Sequence, residues 1–163
     1  MKAKRKTTQL AIGAIISCLY VVLTFLASAL GLSSGVIQLR FSEALTILPR
    51  HLKAAVPALF AGCILANLLT GCAFWDIIFG SLATLLGGIG TYTLRKYRIL
   101  SLLPPIIANT LIVPPVLIYV YGVEDAVWFI YLTVFIGEVI SCGIFGYILN
   151  RFAEKYNLSG IIK

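Results

Sequence analysis

Charge is scarce in this sequence, and acid is scarcer than base. Only 12% of the 163 residues are charged, six of them are acidic, and there is a single histidine. Soluble domains carry about 25% charged residues. A chain of this size with so little polar material cannot cover a water-facing surface. That excludes a cytosolic enzyme, a nucleic-acid-binding module and a disordered tail. No G-x-x-x-x-G-K-[ST] loop occurs, so ATP is not hydrolysed by that route. One histidine rules out a His-rich metal centre and leaves little for a serine–histidine nucleophilic site. Cys18, Cys63, Cys72 and Cys142 are widely spaced with no C-x-x-C, which argues against zinc and thiol redox chemistry. They read as small apolar packing residues. No metal and no cofactor are expected, and no nucleic-acid partner.

What is abundant is hydrocarbon: 60% of residues are hydrophobic and the mean hydropathy is +1.01. The class that remains is an all-α integral membrane protein made of spans and short connectors, as one membrane domain over 1–163. The few charges partition the chain. Residues 7–39 hold no acid, lysine, arginine or histidine. They divide into a first span, about 8–30, and a softer stretch from Gly31 to Leu39. Further spans are expected at about 41–52, 54–70, 77–94, 99–121 and 126–150. The first is read as a span rather than a cleaved leader because its apolar run is too long.

The short run 41–52 decides between five and six crossings. If it crosses, the clusters at 2–6, 50–53, 95–98 and 151–163 fall on one side, with four, two, three and three of the 13 basic residues. Only Arg40 is left out. Cytoplasmic connectors collect lysine and arginine, so six helices with both termini in the cytoplasm are expected. The net charge of +7 then reports topology before it reports a ligand.

Local signals agree. Pro104 and Pro105 open the fifth span, where a missing N–H is tolerated. Pro114 and Pro115 lie mid-span and are expected to kink or break it. In the fourth span Gly80, Thr84 and Gly88 form a ridge of small residues beside Ala83, Gly87 and Thr91, suited to close helix packing. The first span carries two such ridges, Ala11–Ala14–Cys18 and Gly13–Ser17. Either suits internal packing or a partner helix.

Counting about 1.5 Å of rise per residue from each basic end puts several polar groups at similar depth. Glu138, Asn67 and Tyr20 come to roughly 20 Å, Asn109 to about 17 Å and Arg40 to at most about 15 Å. Trp75 and Asp76 lie at the outer rim. A charge at a helix centre costs at least about 2.5–3.5 kcal/mol unless paired or wetted. Arg40, Glu43 and Glu138 should therefore face one interior space. Arg40 and Glu43 are three apart and placed to pair on one helix face. Tyr131, Phe135, Glu138 and Cys142 also share a face, with aromatic surface above a carboxylate. The alternative is a buried ion network that only fixes packing. Asn67 and Asn109 serve equally well as interhelical hydrogen-bonding groups, and His51 reads as a solvated residue of the basic cluster.

The blocks Ile37-Gln38-Leu39-Arg40-Phe41-Ser42-Glu43-Ala44-Leu45-Thr46-Ile47-Leu48-Pro49, Gly62-Cys63-Ile64-Leu65-Ala66-Asn67-Leu68 and Asp76-Ile77-Ile78-Phe79-Gly80-Ser81-Leu82-Ala83-Thr84-Leu85 resemble the QueT family. That family comprises queuosine-precursor transporters of the energy-coupling factor (ECF) type, as substrate-binding S components. The likeness covers nearly the whole chain. It implies a bacterial cell-membrane protein with a pocket in the outer half of the bundle and the segment 31–39 as a lid. It implies partners too: a transmembrane coupling subunit and two ATP-binding-cassette ATPases. S components often dock the coupling subunit through Ala-x-x-x-Ala on the first span. That motif is absent here, and Ala11, Gly13, Ala14, Ser17 and Cys18 stand in its place.

The implied substrate is a 7-deazaguanine such as queuine or its aminomethyl precursor. Glu43 or Glu138 would accept the N–H donors of a guanine-like edge, and the other would meet an aminomethyl cation. Asn67 or Asn109 would pair with the ring carbonyl and nitrogens. Tyr20, Trp75 and Tyr131 would stack on the ring. Arg40 would position a carboxylate or meet the carbonyl, and Asp76 closes the candidate set. The competing reading is an autonomous secondary transporter, proton-coupled through Glu138. A membrane enzyme or a purely structural subunit is the remaining class.

Overall fold

A computed structural model describes residues 2–32 and 38–158, with side chains from residue 6 onward. Among the described residues there are helices and turns and no strand. Helix α1 runs Lys2–Ala29, α2 Ala55–Leu69, α3 Phe74–Thr93, α4 Leu103–Tyr119, α5 Val127–Glu138 and α6 Gly146–Lys155. A 3₁₀ segment, Phe41–Arg50, precedes α2. A π-helical segment, Val139–Phe145, joins α5 to α6. Four stretches are long and apolar enough to cross a membrane: Lys6–Ala29, Phe74–Thr93, Leu100–Tyr119 and Val127–Lys155. Ala55–Leu69 is apolar but shorter. The chain is thus an all-helical, multi-pass membrane protein.

The expected spans shift in instructive ways. The third helix of the expected series shortens to Ala55–Leu69, and the fourth starts three residues early, at Phe74. The last continues to Lys155 through the π segment. Helix α4 is not broken by Pro114–Pro115; both lie inside it. A proline removes one N–H and one hydrogen bond, and a packed bundle can absorb that loss where no water competes.

The stretch 41–50 differs most from expectation. A 3₁₀ helix rises about 2.0 Å per residue and repeats every three. Ten residues therefore cover about 20 Å instead of about 15 Å, which lifts Arg40 to the depth of the other polar groups. The period of three also builds distinct faces. Ser42, Leu45 and Leu48 lie on one, Glu43, Thr46 and Pro49 on the next, and all six are buried. The segment touches α1, α2, α3, α6 and the π segment, so it is the central rod of the bundle. Its leucines join Ile16, Tyr20, Leu59 and Cys63 in the main apolar core.

Close approaches explain the small-residue ridges. A Cβ on Gly87 would lie 2.7 Å from the Pro105 Cα, so α3 and α4 meet backbone to backbone. A Cβ on Gly62 would lie 3.0 Å from the Ser17 Cα. Gly13 and Ser17 are turned to α2, where the Ser17 hydroxyl donates to the Ala58 carbonyl at 2.6 Å. Ala11, Ala14 and Cys18 are exposed. At their far ends α1 and α2 stop in the same way. Gly31 and Gly71 take φ of +70° and +73°. Leu32 N–H then bonds Ala27 O, and Cys72 N–H bonds Asn67 O, both at 3.0 Å. This pairing ties off orphan carbonyls, and it needs a residue free to adopt left-handed φ.

Candidate functional site

The far ends of α1 and α2, the start of α3 and the end of α4 surround a cavity of about 360 Å³. Its wall is polar. Arg40 and Asp76 supply the charges, Gln38 and Asn67 the amides, and Tyr20 and Tyr121 two of the hydroxyls. Further hydroxyls come from Thr24, Ser28, Ser42 and Thr70. Tyr20, Thr24 and Ser28 are spaced four apart and so share one face of α1.

Arg40 precedes the 3₁₀ segment in extended conformation, φ −115° and ψ 96°. It is therefore not on a helix face with Glu43, and the expected Arg40–Glu43 ion pair does not form. Among the described residues the ion pairs are Arg50–Glu154 and Arg98–Glu154, both elsewhere. The Arg40 N–H donates to Ser141 Oγ at 3.2 Å. Of the acids around it, Asp76 pulls on its charge most strongly, ahead of Glu43 and Glu138. Asp76 sits in the first turn of α3, where a helix N-terminus favours negative charge. Its Oδ2 accepts from the Tyr121 hydroxyl at 2.9 Å, while Ala73 N–H donates to Tyr121 at 3.1 Å. Burial, helped by Asp76 and opposed by the Ala73 N–H, pushes the Tyr121 phenol up to about 12. It stays a neutral donor.

Beneath the cavity lies a second, closed layer. Glu43 is buried and accepts from the Tyr20 hydroxyl, from Asn109 Nδ2 at 3.3 Å and from Thr84 Oγ1 at 3.4 Å. Tyr20 and Asn109, from two helices, offset the desolvation of its carboxylate, while the Thr84 proton has a nearer acceptor in the Gly80 carbonyl at 3.1 Å. Glu138 is buried beside it and accepts from Cys142 Sγ at 3.2 Å. The π segment makes this possible by turning Ser141 and Cys142 inward, both buried. Glu43, Glu138 and Cys142 place ligand-type atoms within 4.8 Å of one another. Tyr20 and Asn109 bond the two oxygens of Glu43, and Cys142 bonds Glu138 Oε2.

The predicted site residues therefore separate. Tyr20, Arg40, Asn67 and Asp76 line the cavity. Glu43, Asn109 and Glu138 lie in the closed layer below it. Trp75 is 53% exposed and lines a different, apolar groove with Phe79, Pro115 and Tyr119. Its ring stacks on Phe79 at 6.0 Å. Tyr131 is half-buried on α5 and does not line the cavity, and Phe135 is exposed. The aromatic face above Glu138 is thus a correction: Ile130 and Val134 hold the inward positions on α5. The expected lid, 31–39, falls partly outside the described residues; of it, Gln38 lines the cavity. Thr24, Ser28, Thr70 and Tyr121 were not anticipated. The first three follow from helical spacing to Tyr20 and Asn67. Tyr121 lies past the end of its span, where no spacing points to it.

These features define a class: a multi-pass helical membrane protein with a cavity lined by polar side chains near one end of its bundle. The chain belongs to the QueT transporter family, which it matches over residues 10–155. It is 37% identical over 82 residues to a protein of Lactococcus lactis subsp. cremoris (strain MG1363) named queuosine precursor transporter QueT. That match covers 50% of this chain and 48% of the relative, so it spans about half the length of each. No solved structure matches the chain.

Proposed function

We propose that this chain is the substrate-binding membrane subunit of an ATP-driven ECF-type importer, and that it takes up a queuosine precursor of the 7-deazaguanine class. The observation that carries the reading is the polar chamber itself. Arg40 and Asp76 line about 360 Å³ of space without an ion-pair partner among the described residues, inside a chain otherwise dominated by hydrocarbon. Leaving charges in that state is costly unless a ligand or water completes them. Small-molecule pockets run from about 300 to 1,000 Å³, so the chamber suits one flat heterocycle. The relative's name supports the substrate class. Arg40 would meet a ring carbonyl, and Asn67 would read the ring edge with donor and acceptor together.

The topology that goes with this function has six crossings. The short 3₁₀ rod is one of them, and the basic ends face the cytoplasm. The chamber then opens outward. The exposed ridge Ala11–Ala14–Cys18 is the surface for the coupling subunit, because Gly13 and Ser17 are occupied by α2. Energy would come from partner ATPases.

The test has two parts. Native mass spectrometry and calorimetry of the purified chain should show one 7-deazaguanine bound per protein. Uptake into liposomes should require the coupling subunit, the ATPases and ATP. Absence of any 7-deazaguanine binding overturns the substrate. Uptake by this chain alone, driven by a proton gradient, overturns the energy source in favour of an autonomous carrier. Glu138 lines no part of the chamber, so nothing in its position favours that second mechanism.

A further inference from the structure

We infer that a second cavity, at the basic end of the bundle, binds the phosphate of an anionic phospholipid, with Arg95 as its principal donor. This site lies apart from the chamber and does not depend on what the chamber takes up.

The cavity measures about 320 Å³, and Arg50, His51, Arg95 and Glu154 stand on its wall. Its charge is unbalanced. Glu154 is the one acid at this end, since the other five lie at 43, 76, 124, 125 and 138. That carboxylate is already taken by Arg50, Arg98 and Asn150 Nδ2. Arg95, Lys53 and Lys96 have no ion-pair partner among the described residues. A surplus of base next to hydrocarbon attracts anionic headgroups.

The donors are arranged as well as abundant. Arg50 Nε donates to the Arg95 carbonyl at 3.0 Å, which ties the two arginines together. Arg50 Nη1 donates to Asn150 Oδ1 at 3.0 Å and to Glu154 at 2.9 Å. His51 Nε2 meets the same Asn150 oxygen at 2.8 Å, so that nitrogen is a donor too. Arg50 Nη2 makes no hydrogen bond among the described residues. Neither does the guanidinium of Arg95. It lies over the Tyr92 ring, 4.2 Å from the centroid. Contact with the ring face orients a guanidinium without using its N–H groups. Two linked arginines with N–H groups to spare match the oxygens of a phosphate.

Position selects a lipid over a soluble phosphate compound. The apolar stretch Phe74–Thr93 ends two residues before Arg95, and Val127–Lys155 ends one residue after Glu154. Headgroups occupy that boundary between hydrocarbon and water. Tyr97, Phe152 and Tyr156 are exposed at the same end, and aromatic rings of this kind settle at the membrane interface.

Native mass spectrometry of the full chain tests the site, with phosphatidylglycerol and phosphatidylcholine of matched acyl chains as probes. One phosphatidylglycerol per chain should be held at least about tenfold more tightly than phosphatidylcholine. Arg95→Gln should weaken phosphatidylglycerol at least about tenfold, because charge and fork are lost together. Arg151→Gln removes an equal charge from the same end, at a residue off this cavity wall. It should change the affinity less than about threefold. Both side chains are exposed, so neither variant opens the core. Equal retention of the two lipids, or equal losses in the two variants, reduces the basic end to a topology signal and overturns the site. Displacement of the lipid by millimolar glycerol phosphate gives the cavity to a soluble phosphate compound and overturns the lipid as its occupant.

Discussion

The two ends of this bundle own similar groups and use them in opposite ways. At the basic end, Glu154 takes Arg50 at 2.9 Å and also Arg98, while Asn150 bonds Arg50, His51 and Glu154. Arg50 adds a bond to the Arg95 carbonyl at 3.0 Å. Acid, base and amide complete one another there. At the chamber end, Arg40 and Asp76 share a wall and form no ion pair. The difference is one of charge pairing and not of complete satisfaction, since Arg98 Nε at the basic end is buried without a partner: one end closes its acid on its bases, and the other leaves an acid and a base unpaired on a cavity wall.

The sharpest way to break this comparison is to remove the corresponding base at each end. Arg40→Met should lower affinity for the deazaguanine by roughly 100-fold or more, about 3 kcal/mol. Calorimetry in detergent reads it directly. If affinity is unchanged, Arg40 is a packing group like Arg50 and the contrast fails. A second change separates packing from recognition. Gly87→Val places new atoms against the Pro105 backbone, which cannot give way as a flexible side chain would. It should cost about 1–3 kcal/mol of stability, seen as a lower melting temperature, with affinity per folded molecule retained.

Much of this contrast could be read from residue order alone, and the exceptions have physical causes. The helical stretches follow from where charges interrupt hydrocarbon, since each buried charge is expensive. Tyr20, Arg40, Asn67 and Asp76 follow from depth. What side-chain spacing could not show was the helix type between Phe41 and Arg50. A period of three rather than 3.6 turns Glu43 into the closed layer and leaves Arg40 extended outside the helix. Trp75 and Asp76 are adjacent on α3, which begins at Phe74, so their side chains point about 100° apart and only Asp76 reaches the chamber wall. Tyr131 and Phe135 lost the inward face to Ile130 and Val134 for a related reason. Glu138 marks the inward side of α5, but the buried face runs through its i−4 and i−8 neighbours, Val134 and Ile130, and not through Phe135 and Tyr131 at i−3 and i−7.

Two smaller changes sharpen the comparison. Tyr20→Phe removes a chamber acceptor and takes one donor from Glu43. Affinity should fall about tenfold, the worth of one buried hydrogen bond, by calorimetry. Glu154→Gln cuts the charge from the hub at the other end. Glu154 is part-exposed, so the loss should be about 1 kcal/mol of stability, read by thermal melting, with affinity unchanged. A drop in affinity would mean that the two ends are coupled and cannot be treated as separate uses of charge.

The smallest expected effect decides the boundary of the chamber. Trp75 and Asp76 are adjacent in sequence, but Asp76 faces the polar wall and Trp75 faces an apolar groove beside Phe79. A ring stacked on the ligand contributes about 1 kcal/mol or more, enough to change affinity several-fold. A ring stacked on Phe79 at the lipid side contributes to neither charge nor hydrogen bonding in the chamber. Trp75→Ala should therefore leave affinity within about twofold by calorimetry. A large loss in Trp75→Ala would place its ring over the ligand and extend the recognition surface across α3 into the apolar groove.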